Sequence, residues 1–306
     1  MNHLTHWSAL ADDTWNECVD AALRHHRAGQ TWTNEAHGRS LGLLFLNPSL
    51  RTRTSMELAG KQLGAHATTL DAGGGGTWPF AWGEGTVMDG DQSEHLRDAG
   101  GVLSRYFDTI GLRAFASLTD YDRDRQDAVL RAFADAATVP VVNMESAFYH
   151  PCQGLGDAAT IAEHFDGDVQ DRRFVLQWTY HPKPLPMAVA NSALLQAARQ
   201  GTDVTIARPD EYPLDAGIVE QARDYAEARG ASLTETHDPD AAYDDADVIY
   251  AKAWAGRRVY DDPEGEKKLR ESYRNWRVTP ERMARTDEAI FMHCLPIRRN
   301  VVADDA

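Results

Sequence analysis

The sequence predicts an α/β protein made of two doubly wound domains with central parallel sheets. Short apolar runs alternate with amphipathic stretches of about 10–15 residues, which is the pattern of repeated βαβ units. The length of 306 residues favours two domains of about 150 residues each. The polar stretch Asp166–Arg173 separates two such series, and Pro151–Phe165 has the pattern of a connecting helix. We therefore expect one domain at residues 1–150 and a second at residues 151–306.

Several apolar runs have the length of buried strands. They are Leu41–Leu46, Ala67–Leu70, Thr109–Phe115, Val139–Met144, Phe174–Trp178, Val204–Ala207, Val248–Lys252 and Ala289–Leu295. The stretches between them predict helices at Thr54–Leu63, Ser93–Tyr106, Arg123–Ala136, Pro151–Phe165, Met187–Arg199 and Asp215–Arg229. Ligands of such folds bind beyond the carboxyl ends of the strands. The candidate positions are therefore the turns after Leu46, Phe115, Glu145, Trp178, Lys252 and His293.

The composition excludes several classes of function. A formal charge of −16, from 47 acidic and 31 basic side chains, disfavours binding to nucleic acids or anionic membranes. No apolar run approaches the ~20 residues of a membrane span, and the N-terminus lacks a signal-peptide pattern. Three cysteines, odd in number and widely spaced, indicate a reducing compartment, so we expect a cytoplasmic protein. The bias toward Asp and Arg fits either salt adaptation or codon usage.

The segment Asn47–Ser55 follows the first predicted strand and combines groups that bind an anion. Free N–H groups at a helix start, three hydroxyls and two guanidinium groups converge there. These side chains are Ser49, Arg51, Thr52, Arg53 and Thr54. The glycine spacing of a nucleotide-binding loop is absent. A well-capped helix with surface arginines is the alternative, but two arginines at a strand end favour a phosphate site.

Two further segments carry candidate catalytic groups. Pro151 suits a first helical position, so His150 would lie at the helix cap and Gln153 in the first turn. An imidazole and an amide there can polarise a carbonyl oxygen and orient its nitrogen. A lone histidine is more often structural, but the second segment, His293–Arg299 (H-C-L-P-I-R-R), raises the odds of a functional role.

No metal or cofactor site is predicted. The sequence has neither an H-E-x-x-H nor a C-x-x-C pattern, and His25 and His26 are consecutive residues that would face apart on a helix. Cys294 follows His293, but neighbours on a strand point to opposite faces. We therefore discount covalent catalysis by this cysteine.

Leu46–Ser55, His150–Gln153 and His293–Pro296 together resemble the carbamoyltransferase family, in the right order and over nearly the whole chain. The resemblance implies that the first domain binds carbamoyl phosphate and that the second binds an amine substrate. It also implies a homotrimer with shared active sites. Trp78, which follows a glycine-rich run at 73–76, resembles a tryptophan donated into the neighbouring subunit's site.

The resemblance also assigns residues to these sites. It implies catalytic roles for Arg51, Arg113, His150, Gln153 and Cys294. It implies carbamoyl phosphate contacts from Ser49, Leu50, Arg51, Thr52, Trp78, Arg113, His150, Pro151, Cys152, Gln153, Cys294 and Leu295. It implies amine-substrate contacts from Ser93, Glu145, His181, Lys252 and Arg298.

The fuller sequence strings identify a branch of the family. The Ser-Met-Gly run of ornithine carbamoyltransferases is absent, and aspartate carbamoyltransferases lack the H-C-L-P signature. Gly85–Asp91, Trp178–Pro184 and Tyr250–Lys252 resemble the branch that uses N-acylated ornithine in arginine biosynthesis. The acyl group is either acetyl or succinyl.

Three departures favour the succinyl group. Acetyl enzymes have a glutamate where this chain has Ser93, and a glutamate would repel the succinyl carboxylate. A small serine at a helix N-terminus would instead offer space and hydrogen-bond donors. Val302 stands where the acetyl type has a carboxylated lysine, and Pro186 resembles the succinyl type. Drift at these positions is the alternative, which leaves N-acetylornithine as the second substrate to consider.

The end of the chain departs from the family pattern. Family members continue past the H-C-L-P segment into a helix that carries an arginine to the phosphate, whereas this chain stops at Ala306. We therefore expect a truncated form with reduced stability or activity. An inactive carbamoyltransferase-like binding protein is the rival hypothesis. A nicotinamide-dependent dehydrogenase is disfavoured because G-x-G-x-x-G is absent.

Overall fold

A computed structural model describes residues 3–29, 31–72, 78–286 and 288–305. The chain divides into two units, one formed by Met1–Ser117 with Asp122–Cys152 and the other by Leu118–Tyr121 with Gln153–Ala306. Each unit contains a parallel sheet with helices, so the predicted α/β class is confirmed. None of the helices in the described part of the chain is both long and apolar enough to span a membrane.

The helices and strands up to residue 145 include the four strands of the first sheet. In chain order they are α1 (Asp12–Arg27), β1 (Ser40–Phe45), α2 (Leu50–Gln62), β2 (His66–Asp71), β3 (Phe80–Ala81), β4 (Glu94–His95), α3 (Leu96–Leu103), β5 (Thr109–Arg113), α4 (Tyr121–Arg125), α5 (Ala128–Ala136) and β6 (Val141–Glu145). The sheet order is β2-β1-β5-β6, and every pair is parallel. Strands β3 and β4 form a separate two-stranded parallel pair.

The period-2 pattern of β1 divides its apolar side chains between two faces. Leu44 packs into a buried cluster with Leu112 and Phe133. Its neighbours Leu43 and Phe45 pack with Met144 in a second cluster. Burial on both faces explains why this strand reads as a continuous apolar run.

A β-bulge interrupts the pairing of β5 with β6. Leu112 pairs with Asn143, but Arg113 pairs with Glu145, so Met144 is the additional residue. Met144 is fully buried. Gly111 provides the space, because a Cβ at this glycine would lie 2.6 Å from the Met144 sulfur. The bulge therefore places Glu145 directly beside Arg113.

The helices and strands after residue 145 include the five strands of the second sheet. They are α6 (Pro151–His164), β7 (Arg173–Trp178), α7 (Ala188–Gln200), β8 (Asp203–Ala207), α8 (Ala216–Ala228), β9 (Leu233–Thr236), β10 (Val248–Lys252), α9 (Pro263–Ser272), α10 (Pro280–Met283) and β11 (Ile290–Met292). The order is β11-β10-β7-β8-β9, again all parallel. Every residue of β10 is buried. Asp215 caps α8 by accepting the Gly217 N–H at 2.9 Å.

Two predicted helix starts were wrong. Helix α2 begins at Leu50 rather than Thr54, because the Ser49 hydroxyl accepts the Thr52 N–H and caps the helix earlier. Helix α3 begins at Leu96 rather than Ser93, because the two residues before it pair as β4 with β3. Ser93 therefore does not lie at a helix N-terminus.

Two further predicted elements differ in extent. The helix predicted at Arg123–Ala136 is interrupted at Asp127, which adopts a left-handed conformation with φ of 49° and divides it into α4 and α5. The strand predicted at Ala289–Leu295 is reduced to β11, so His293 and Cys294 lie beyond its end. The argument that these two residues must face apart on a strand therefore does not apply.

Candidate active site

Arg113 in the first unit and Lys252 in the second lie at the topological switch point of their sheets. In the first sheet β1 and β5 are neighbours, while β2 and β6 lie outside them. Phe45 and Arg113 are in register there. In the second sheet Trp178 and Lys252 are in register between β7 and β10. Ligands of open α/β sheets bind beyond the strands' carboxyl ends at such points.

The start of helix α2 presents the predicted phosphate groups. Ser49 adopts an extended conformation and caps the helix at 3.2 Å. Leu50 and Arg51 are exposed in the first turn. The Thr52 hydroxyl accepts a hydrogen bond from Arg113 Nη1 at 3.0 Å. The helix start and Arg113 therefore form one connected group at the switch point.

Arg53 and Thr54, which the sequence also assigned to the anion cradle, have other partners. Arg53 forms ion pairs with Asp71 at 2.9 Å and with Glu57 at 3.4 Å. The Thr54 hydroxyl donates to the Leu50 carbonyl at 2.8 Å. The Glu57 carboxylate also accepts a hydrogen bond from Thr69, which lowers its pKa. The ion pair of Arg53 with Asp71 thus connects helix α2 to strand β2.

Arg113, Glu145 and His150 form a compact polar group in the first unit. Arg113 Nη1 lies 2.7 Å from Glu145 Oε2, and both side chains are largely buried. His150 Nε2 lies 3.4 Å from the same carboxylate oxygen. The Arg113 guanidinium also stacks over Phe115, 4.4 Å from the ring centroid. The predicted phosphate-side arginine is therefore held by a residue that the resemblance assigned to the amine substrate.

A buried network supports the loop that leads to His150. Asn143 donates to the Tyr149 carbonyl at 3.2 Å and accepts the Glu145 N–H at 2.9 Å. Asp127 accepts the Ser146 hydroxyl at 2.8 Å and the Phe148 N–H at 2.9 Å. Burial raises the pKa of Asp127 to about 7 despite these hydrogen bonds. The side chains of Asn143 and Asp127 therefore fix the conformation of this loop.

The first residues of α6 are each held in place. The Pro151 carbonyl accepts the indole N–H of Trp7 at 2.7 Å. The Cys152 thiol donates to the Asn143 carbonyl at 3.5 Å, and burial raises its pKa to about 11. A thiol with that pKa is protonated at neutral pH and is not a nucleophile. Gln153 Nε2 donates to Asp157 Oδ1 at 2.8 Å.

Trp78 and Ser93 lie just before β3 and β4, at the same end of this parallel pair. Trp78 is about half exposed, and its indole N–H donates to Glu94 at 2.6 Å. Ser93 is exposed, and its N–H donates to the Pro79 carbonyl at 2.9 Å. The glycine-rich run at 73–76 lies outside the described residues. The side chain of Trp78 is therefore held by its own chain.

The second unit brings three of the predicted substrate residues together. Lys252 ends β10 and is buried. Arg298 Nε donates to His181 Nε2 at 2.9 Å, and His181 Nδ1 lies 2.8 Å from the Lys183 carbonyl. Because arginine can only donate, His181 Nε2 is the acceptor in this hydrogen bond. Burial, with help from Arg298 and Lys252, lowers the pKa of His181 and keeps the ring neutral.

The H-C-L-P segment forms a turn after β11. The Leu295 N–H donates to His293 Nδ1 at 2.8 Å. Leu295 is half exposed, has a φ of 53°, and precedes a cis peptide bond to Pro296. Cys294 is partly exposed.

Comparison with known protein families shows to which family this chain belongs. Residues 2–163 match the family model "Aspartate/ornithine carbamoyltransferase, carbamoyl-P binding domain". Residues 187–306 match the model "Aspartate/ornithine carbamoyltransferase, Asp/Orn binding domain". The chain belongs to the aspartate/ornithine carbamoyltransferase family.

Individual relatives place this carbamoyltransferase in the N-acylornithine branch. It is 48% identical to the N-acetylornithine carbamoyltransferase of Xanthomonas campestris pv. campestris, over 89% of this chain and 80% of the relative. It is 37% identical to the N-succinylornithine carbamoyltransferase of Bacteroides thetaiotaomicron, over 87% of this chain and 78% of the relative. Overall similarity therefore favours the acetyl relatives over the succinyl relatives that Ser93, Pro186 and Val302 indicated.

A solved structure shares the whole fold of this carbamoyltransferase. It is a glutamate-to-serine mutant of N-acetyl-L-ornithine transcarbamylase, complexed with carbamyl phosphate and N-succinyl-L-norvaline. The TM-score is 0.94 at 43% sequence identity, and the match covers 100% of this chain and 92% of that chain.

Sequence reasoning missed two groups in this carbamoyltransferase. Asp157, the partner of Gln153, lies four residues further along α6, so the helical i,i+4 spacing could have revealed it. The buried ion pair of Arg270 with Glu266 has the same spacing. Arg270 also donates to the Pro182 carbonyl at 3.4 Å, beside His181. Nothing in the composition of α9 distinguishes this buried pair from a solvated one.

Proposed function

We propose that this carbamoyltransferase transfers the carbamoyl group of carbamoyl phosphate to the δ-amine of N-acetyl-L-ornithine, yielding N-acetyl-L-citrulline and phosphate. The observation that carries the acyl assignment is its 48% identity to a named N-acetylornithine carbamoyltransferase, against 37% to a named N-succinylornithine enzyme. The reaction would serve arginine biosynthesis.

The site geometry supports direct transfer. The uncharged δ-amine attacks the carbamoyl carbon and forms the new N–C bond. The C–O bond to phosphate breaks, and the departing phosphate takes up the proton that the amine loses. Ser49, Arg51, Thr52 and Arg113 would hold the phosphate, where donors fixed before the reaction stabilise developing charge. The half-buried position of Gln153 suits it to hold the carbamoyl amide.

The second unit would bind the amine substrate. Lys252 and Arg298 supply positive charge for its α-carboxylate, while neutral His181 lies between Arg298 and the Lys183 carbonyl. Cys294 and Leu295 would contribute backbone groups to position the amine. We further propose a homotrimer in which Trp78 reaches the neighbouring site.

N-succinyl-L-ornithine is the second candidate substrate. The observation that favours it is Ser93, because a glutamate-to-serine mutant of an acetylornithine transcarbamylase has been crystallised with N-succinyl-L-norvaline. We infer that the replaced glutamate is the one at the position of Ser93. A serine there would neither repel nor crowd a second carboxylate.

A colorimetric assay for the ureido product tests these proposals. Purified protein is supplied with carbamoyl phosphate and, in parallel, with ornithine, N-acetylornithine or N-succinylornithine, at low and at molar salt. We expect turnover with an acylated ornithine and the highest kcat/KM with N-acetylornithine. Preference for N-succinylornithine would overturn the acetyl assignment, and absence of product with all three would support a binding protein without activity.

A further inference from the structure

We propose that Asp157 and Tyr250 are positioning residues that orient the Gln153 amide, so that its oxygen faces the carbamoyl group. This inference rests on the proposed carbamoyl transfer and extends it to two residues outside the predicted site. All three residues belong to the second unit.

Asp157 fixes the orientation of the Gln153 amide. Gln153 Nε2 donates to Asp157 Oδ1 at 2.8 Å, one helical turn along α6. An ionised carboxylate can only accept hydrogen bonds. Gln153 must therefore present its NH₂ group to Asp157 and direct Oε1 away from it. An outward oxygen is an acceptor, which matches the N–H donors of a carbamoyl group.

Tyr250 holds the other carboxylate oxygen. Its hydroxyl donates to Asp157 Oδ2 at 2.9 Å, and the tyrosine is fully buried in β10 with its ring 6.0 Å from that of Phe174. Because each carboxylate oxygen of Asp157 accepts a hydrogen bond, its side chain has one preferred orientation. Residues i and i+2 of a strand share a face, so Tyr250 lies on the same face of β10 as Lys252.

Because Asp157 is buried, its two hydrogen bonds affect its protonation state. Asp157 is 4% exposed, and burial raises its pKa to about 7, while the bonds from Gln153 and Tyr250 act in the opposite direction. A protonated Asp157 could donate to Gln153 Oε1 and permit the reversed amide. Donation by Tyr250 therefore favours the ionised form and the outward oxygen.

A double-mutant cycle tests whether Asp157 acts through Gln153. We expect Asp157→Ala to lower kcat by about 10- to 100-fold, the scale of a misplaced catalytic group, with little change in the KM for acylornithine. Asp157→Asn, which can hold the amide in either orientation, should show a smaller loss. In a Gln153→Ala background, Asp157→Ala should cost less than twofold further.

A matched control separates positioning from stability. Tyr243→Phe removes another fully buried hydroxyl of the second unit, one that donates to Gln177. It should retain wild-type kcat, whereas Tyr250→Phe should lower kcat and shift the acid limb of its pH profile upward. If Asp157→Ala does not fold, the cycle is run with Asp157→Asn.

The outcomes are distinct. Equal losses from the Asp157 substitution in the wild-type and Gln153→Ala backgrounds would overturn the positioning role while leaving carbamoyl transfer intact. Equal effects of Tyr243→Phe and Tyr250→Phe on kcat would overturn the role of Tyr250. Absence of wild-type turnover would overturn the proposed function, and the positioning role with it.

Discussion

Arg113 and Glu145 form a largely buried ion pair of 2.7 Å because a β-bulge brings them into register across β5 and β6. The guanidinium that we assign to the phosphate is thus shared with a carboxylate on the adjacent strand. Removing one partner of a buried pair leaves the other charge uncompensated and typically costs about 3–5 kcal/mol. The pair therefore links the stability of the first unit to its proposed chemistry.

We expect Arg113→Ala to abolish most turnover and to lower the free energy of unfolding by about 3–5 kcal/mol. Adding Glu145→Gln should restore much of the stability, since it removes the buried carboxylate charge that Arg113 balanced, but not the turnover. Denaturant unfolding monitored by fluorescence, with parallel ureido assays, measures both effects. Recovery of turnover in the double variant would contradict the assignment of Arg113 to the phosphate.

Arg51 and Arg53 should differ sharply although they are two residues apart. Arg51→Ala should reduce kcat/KM for carbamoyl phosphate by about 10²–10³-fold without changing the thermal midpoint, because its side chain is exposed. Arg53→Ala should reduce it far less, since Asp71 and Glu57 already bind this guanidinium. Equal losses from the two substitutions, measured under the same conditions, would mean that Arg53 leaves its partners to bind phosphate.

Ser93→Glu should shift the kcat/KM ratio toward N-acetylornithine and against N-succinylornithine, since a carboxylate repels the succinyl carboxylate. Ser93→Gln is the matched control, because it adds the same bulk without the charge. Both substrates are assayed with each variant at low salt, where charge effects are least screened. An identical substrate ratio for the glutamate and glutamine variants would exclude repulsion as the cause of selection.

The free energy of unfolding of the first unit should fall as pH rises, because Asp127 loses its proton. Its pKa is about 7 in the folded protein against an ordinary 3.8, so its protonation favours folding. This contribution is complete below about pH 4 and is lost as pH rises through 7, with a slope of at most about 1.4 kcal/mol per pH unit. Asp127→Asn should remove that slope in denaturant titrations between pH 4 and 8.

The control for Asp127 is Asp98→Asn, which removes a carboxylate from the exposed face of α3. Its stability should follow the wild-type dependence on pH. If Asp127→Asn and Asp98→Asn gave the same dependence, the burial of Asp127 would not be the source of the effect.

The strands that were predicted well are those whose burial is visible locally. Val248–Lys252 was predicted with its observed bounds because all five residues are buried. Strand β9, Leu233–Thr236, was missed because it lies at a sheet edge and has no apolar run. Helix α2 begins four residues before its predicted start because Ser49 caps it.

The site was predictable in its motifs but not in its pairings. Sequence treats Arg51 and Arg53 alike, whereas the structure separates them by the contacts of Arg53 with Glu57 and with Asp71, which is eighteen residues away. The pairing of Arg113 with Glu145 depends on the bulge, which no local pattern indicates. Both results depend on register between distant segments, and a single sequence does not contain that information directly.

The bulge links positions 111 and 144 in space, and we expect it to link them in evolution as well. Met144 fits only because Gly111 has no side chain, and a Cβ there would lie 2.6 Å from the methionine sulfur. A relative with a larger residue at position 111 should therefore carry a smaller one at 144, or lack one residue of the strand. The two positions should covary across homologues although neither is assigned a contact with substrate.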